Sequence, residues 1–290
     1  MDFESFLNDA WSDHAEQPEA VAERLGQGTA LIQETAQITR FAQLAAHVFG
    51  EHLGHWRRGI LFLETLRQLP SFAANAEAEA TLVRLIAALG LAHGDVDIAL
   101  PHLRRSDRVR VWSLAAAALT GQAQTERAAE LFSRALEQAS ALGHDDPAQR
   151  ALAVTSNNLA ADLEQKAERT ASQTALMVLC ARTARTRWAL AGTWLNVERA
   201  EYRLARSYLA AGELTEALEH AQSCLAISRA NRAEPRELFW GFECLARVAH
   251  ARQDGAAFDA ALLEARAALS ALSASAGDCE RALEQLARLD

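Results

Sequence analysis

The ten residues HVFGEHLGHW, His47 to Trp56, hold three of the chain's nine histidines and one carboxylate: His47, Glu51, His52 and His55. Imidazole nitrogens and carboxylate oxygens are zinc donors, and ligands four residues apart on a helix share a face. One continuous helix over residues 40–53 would therefore aim His47, Glu51 and His55 the same way. Gly54 predicts a turn at LGHW instead, which takes His55 off that face. The spacing also misses the metalloprotease patterns. HExxH places the glutamate directly after the first histidine and HxxEH puts it just before the second, whereas this chain reads HxxxEHxxH. The expectation is a helix end without bound metal, with His47 on a helix–helix face and His52 and His55 near the negative pole of the helix dipole.

Other catalytic signatures are missing from the sequence. It holds no GxGxxG, GxxxxGK[ST] or GxSxG motif, so no phosphate cradle or nucleophile elbow is expected. The carboxylate pairs Asp145/Asp146 and Asp95/Asp97 fall in turns or first helical turns, and capping accounts for them. Cys180, Cys224, Cys244 and Cys279 are too widely spaced for a zinc knuckle and read as small buried thiols. No catalytic residue, metal or cofactor is predicted, and the chain is not expected to be an enzyme. A metal-dependent enzyme is the remote alternative.

Binding chemistry has better candidates. Asn157 and Asn158 stand side by side inside a helical stretch, where asparagine is mildly unfavourable and helix propensity does not explain it. Arg199, Arg203 and Arg206 recur at intervals of four and three, which aligns them in one stripe on a helix, with Tyr202 in the same stretch. Guanidinium groups bind carboxylates bidentately, so the stripe is expected to receive an acidic segment or a C-terminal carboxylate. If the stripe is exposed, Arg203→Glu should leave the melting temperature almost unchanged.

These residues need helices to position them. Half of the 290 residues are hydrophobic but only 6% are aromatic, so alanine and leucine carry the apolar content, and just five prolines interrupt it. No alternating β-branched run appears. Apolar spacing at three and four gives about fourteen helices with short loops and an all-α chain. Asp145 and Asp146 before Pro147 form a favourable helix start. The formal charge of −9 argues against a phosphate-neutralising surface, so no nucleic acid is expected. The acidic N-terminus does not read as a secretory signal and no apolar window reaches spanning length, so a cytoplasmic protein without membrane contact is expected.

The helices also repeat. VRVWSLAAAALTGQAQTERAAELFSRAL, from Val109, and ERAEYRLARSYLAAGELTEALEHAQSCL, from Glu198, share their order of large and small residues. Ala116 and Ala128 in the first, and Ala205 and Ala217 in the second, leave room for two antiparallel helices to approach. Trp112, Leu119, Phe132 and Tyr208 fill the space around them. This pattern resembles the tetratricopeptide repeat (TPR), and is similar to the irregular TPR-like repeats of bacterial regulators. Degenerate second-helix pairs follow at Gly59/Leu63, Ala99/Leu103, Ala175/Leu179 and Ala261/Ala265. The anchors are unevenly spaced, unlike the regular repeats of the family.

The resemblance implies a right-handed superhelix, an α-solenoid of antiparallel helix pairs with about six repeats. It covers residues 40–275, with N-terminal capping helices over 1–39 and a C-terminal capping helix over 276–290. In such a superhelix the first helix of each pair lines the concave face. That implies an interaction module binding a peptide or protein partner. TPR domains that hold a C-terminal carboxylate use lysine, arginine and asparagine from first helices. Asn158, Arg199 and Arg203 fall at matching places, while Ser113 and Ala117 stand where the clamp has a lysine and an asparagine. A ligand-sensing regulatory domain acting through another protein is the alternative, because no helix-turn-helix accompanies the repeats.

Overall fold

The computed structural model describes residues 1–72, 76–95, 100–272 and 276–289. Ala99 and Asp97, singled out above, lie outside the described residues. Among the described residues the chain is all-α, with no strand. It divides into two compact units, Met1–Ala148 and Gln149–Asp290. No helix is long and apolar enough to cross a membrane.

The first unit holds α1 (Phe3–Asp13), α2 (Pro18–Gly28), α3 (Thr35–His47), α4 (Trp56–Thr65), α5 (Ala76–His93), α6 (Arg105–Gly121) and α7 (Thr125–Ala139). Then α8 (Pro147–Glu164) leads into the second unit, which continues with α9 (Ala171–Ala191), α10 (Trp194–Ala211), α11 (Leu214–Ala230), α12 (Pro235–Ala251), α13 (Gly255–Ser270) and α14 (Gly277–Leu286). Residue 39, where the capping helices were expected to end, lies inside α3.

Local chemistry sets the helix ends. Asp2 accepts from Ser5 N at 2.8 Å, Asp254 from Ala257 N at 3.1 Å, and Asp146 from Ala148 N at 2.8 Å, each satisfying a donor that the first turn leaves orphaned. Pro147 opens α8 directly after Asp145 and Asp146, as expected. After α10, Gly212 takes φ +80°, and Glu213 N reaches back to Tyr208 O at 2.9 Å. That left-handed step closes the helix with its last carbonyls bonded.

Helices adjacent in sequence pack as pairs: α6 with α7, α10 with α11 and α12 with α13. Ala116 and Ala128 are fully buried in the first of these pairs, and Ala205 and Ala217 in the second. Their small side chains let the backbones approach, while the buried rings of Phe132 and Tyr208 pack around them. Gly59 serves the same purpose in α4, where a Cβ would lie 2.8 Å from Leu89 Cδ1 and 2.9 Å from Phe49 Cβ. The register expected for α9 is wrong. Ala175 is exposed, and the buried face runs through Leu176, Met177, Cys180, Ala184 and Trp188. Trp188 sets that face by packing with Ala153 of α8 and Ala200 of α10; one residue of slip turns a helix by about 100°.

Candidate functional site

Three helices of the second unit, α8, α10 and α12, line a cleft of about 470 Å³. Asn157 enters it from α8, then Glu198, Arg199, Tyr202 and Arg203 from α10, and Arg236, Glu237 and Trp240 from α12. The spacings within α10 and α12 are one, three and four residues, so each helix contributes one face. Direct packing of α10 on α12 brings the two faces together. Tyr202 meets Trp240 edge-on, with ring centroids 5.9 Å apart, which places an aromatic wall on one side.

The arginine stripe forms as expected, but carboxylates from other helices already hold it. Arg199 Nη2 donates to Glu237 Oε1 at 2.7 Å. Glu164 at the end of α8 accepts from Arg203 Nη1 at 2.7 Å through one oxygen and pairs with Arg206 Nη2 at 3.0 Å through the other. Below them, Arg206 Nη1 reaches the Tyr202 hydroxyl at 3.1 Å and Glu243 Oε1 at 3.4 Å, and Tyr202 donates to Glu243 Oε2 at 3.1 Å. Arg247 Nε also donates to Glu243, which is fully buried. An isolated carboxylate at such depth would be costly, and these three donors offset the lost hydration.

The titrations follow from that network. Burial works against the Arg206 charge, yet Tyr202, Glu243 and Glu164 together hold its guanidinium well above the ordinary range. Burial first, and then the Glu243 charge, pushes the Tyr202 phenol up, so it stays a neutral donor. Glu198 is also raised, chiefly by burial, although its carboxylate accepts from Cys224 Sγ and Ser228 Oγ, both at 3.0 Å.

The expected binding residues therefore separate into groups. Asn157, Arg199, Tyr202 and Arg203 line the cleft. Asn158 is exposed and is not part of the lining, because the next residue on a helix points about 100° away. Arg206 lies half-buried beneath the cleft, tied to Glu164 and Glu243. Arg203 and Arg206 are not the exposed stripe that would tolerate charge reversal freely: each keeps less than a quarter of its side-chain surface in water. Arg199, 61% exposed, is. Trp240, Arg236, Glu237, Glu164 and Glu243 were not anticipated. Four of the five sit on or beside the sequence PRELFWGFE, where Glu237, Trp240 and Glu243 recur every three residues, a helical face that was there to be read.

The histidine stretch folds differently from a plain helix end. Its residues Val48–His52 form a π-helical turn that continues α3. His55 is exposed at the start of α4, off the His47 face, as the turn at Gly54 requires. His47 lies on a face that α3 turns toward the end of α1. Its ring lies among Trp11 and His14 of the α1 end and His52, with ring centroids 4.8–5.3 Å away.

Neither protein-family models nor curated proteins match this sequence. Class and chemistry thus rest on the paired helices and on the two side-chain clusters.

Proposed function

We propose that the chain is a non-enzymatic, cytoplasmic interaction module built from TPR-like helix pairs, and that the α8–α10–α12 cleft receives a short peptide segment of a protein partner. The observation that carries this reading is the cleft itself. It opens on α8, α10 and α12, the first helices of successive pairs, and combines the aromatic wall of Tyr202 and Trp240 with exposed Arg199. Its volume of about 470 Å³ suits a few side chains of a peptide; ligand sites commonly span roughly 300–1,000 Å³. The buried alanines at the α6/α7 and α10/α11 crossings support the repeat reading, and its right-handed superhelix of about six repeats belongs to the same proposal. Four free, buried cysteines fit a reducing compartment.

The pairing of the arginines narrows the ligand. A bare anion would have to compete with Glu164, Glu237 and Glu243. A peptide that places an aromatic or branched side chain against Trp240 gains burial as well, and its carboxylate needs to displace only Glu237 from the exposed Arg199. The ligand class is therefore an acidic segment or C-terminal carboxylate next to a bulky apolar residue.

Fluorescence polarisation against an array of labelled peptides tests this. Peptides ending in a bulky residue followed by a carboxylate should bind, and amidating that carboxylate should weaken them about ten- to a hundredfold, the worth of one charge-assisted bond of roughly 1.5–3 kcal/mol. Arg199→Glu and Trp240→Ala should each abolish binding. Equal retention of acidic, amidated and scrambled peptides, or unchanged affinity in both variants, would refute the reading.

A further inference from the structure

We propose that His14, His47 and His52 form a transition-metal site that binds zinc(II) through three imidazoles, leaving a fourth position to water. The three residues come from two elements of the first unit, the end of α1 and the α3 extension, and one ring nitrogen of each lies within 4.8 Å of the other two. His47 Nε2 and His52 Nε2 are 3.1 Å apart. With Zn–N bonds of about 2.0–2.1 Å, tetrahedral ligand nitrogens stand about 3.3 Å from one another, so one edge of the polyhedron is already present and the others close by a modest turn of a half-buried ring. The rings also radiate rather than stack. His52 is nearly perpendicular to both His47 and His14, at 80° and 88°, and the three centroids are 4.8–5.0 Å apart.

The outer hydrogen bonds are those of ligating histidines. His47 Nδ1 contacts Glu51 Oε1 at 2.8 Å, and His14 Nδ1 contacts the Trp11 carbonyl at 2.6 Å. Both acceptors fix the proton on Nδ1 and so keep the coordinating lone pair on Nε2, which is how carboxylates and carbonyls prepare imidazoles for a metal.

The backbone beneath is arranged for this cluster. On an α-helix, residues five apart diverge by about 140°, and the wider π turn is what brings His47 and His52 onto one face. Such a turn is unfavourable by itself and here is held from outside. Trp56 Nε1 donates to Gly50 O at 3.0 Å, and Gln122 Nε2 to Glu51 O at 2.8 Å. Gly121 permits that approach, since a Cβ there would fall on the Glu51 carbonyl. π turns of this kind recur at functional sites. The all-nitrogen donor set favours a borderline cation over magnesium or calcium, which take oxygen ligands.

The test uses the full chain without an affinity tag, stripped of metal and titrated calorimetrically with zinc(II), with cobalt(II) as a spectroscopic probe. One zinc per chain is expected, together with the strong visible band of four-coordinate cobalt. His14→Gln and His52→Ala should each weaken zinc binding at least a hundredfold and remove the band. Glu51→Gln should weaken it by about ten- to a hundredfold and keep the band. His144→Ala, on an exposed residue far along the sequence, should change neither. Circular dichroism reports whether each variant folds, and the wild-type titration decides the matter independently of them. Less than half an equivalent of zinc bound to the folded wild type, or binding unaltered in both folded His14→Gln and His52→Ala, overturns the proposal.

Discussion

Charge reversal at Arg203 would act on stability before it acted on binding. The guanidinium lies 2.7 Å from Glu164 Oε2, with 22% of its side chain exposed and 10% of that of Glu164. Removing the cation alone, as in Arg203→Met, loses one charge-assisted bond, worth roughly 1.5–3 kcal/mol when shielded from water and about 1–2 kcal/mol at this exposure. Arg203→Glu adds repulsion. Two carboxylates about 4 Å apart at an effective permittivity of 20 repel by about 4 kcal/mol, and roughly half is relieved as the new side chain swings outward and Arg206 stays on Glu164. The expected cost is about 3 kcal/mol, equivalent to a fall in melting temperature of about 10 °C for a unit of this size. Thermal denaturation followed by circular dichroism measures it. Glu164→Gln in the Arg203→Glu background should restore at least about 1.5 kcal/mol by removing the facing charge. If Arg203→Glu melts within about 2 °C of the wild type, or the second substitution restores nothing, the ion pair carries no stability and the reasoning fails. Arg199, paired with Glu237 but mostly in solvent, should by contrast yield a variant fit for binding assays with its melting temperature nearly intact.

Two further substitutions probe the packing and the titration. Gly59→Ala should destabilise by about 1–3 kcal/mol despite the better helix propensity of alanine, because the new methyl meets Phe49 Cβ and Leu89; chemical denaturation that shows stabilisation would contradict the close approach of α4. Glu201 is buried, which alone would raise its pKa, but bonds from His220 at 2.7 Å and Arg185 at 2.7 Å outweigh burial and hold it below the ordinary carboxylate range. A depressed folded pKa stabilises above the unfolded value of about 4.5 and is lost as pH falls through the folded one, so Glu201→Gln should lower stability near neutral pH and lessen its dependence on pH below about 4.5. Parallel acid limbs for wild type and variant would rule this out.

What could be read in the sequence was whatever a single helix displays. The Ala116, Ala128, Ala205 and Ala217 pattern, the cap at Asp146, and the Arg199, Arg203, Arg206 stripe on α10 are all local, and each follows from residues close together in the sequence. The stripe's meaning was not local. Its partners, Glu164, Glu237 and Glu243, lie some forty residues away on α8 and α12, and nothing in the α10 sequence says that its charges are already met. Ala175 failed for a related reason, since Trp188, at the far end of a long helix, sets the buried face of α9.

The histidine cluster was hidden twice. His14 approaches from α1, with no periodicity linking it to His47, and His47 and His52 share a face only where the helix widens to a π turn. A search at the α-helical period pairs His47 with Glu51 and His55 and passes over His52, the residue that lies beside it. The widening is imposed from elsewhere in the first unit, through the Gln122 amide on the Glu51 carbonyl and the room left at Gly121. Periodicity therefore locates helices reliably and misplaces chemistry wherever tertiary contacts change the period. In this chain that happens at the π turn that carries His47 and His52, so a stretch whose spacing misses the metalloprotease patterns brings its imidazoles together in three dimensions.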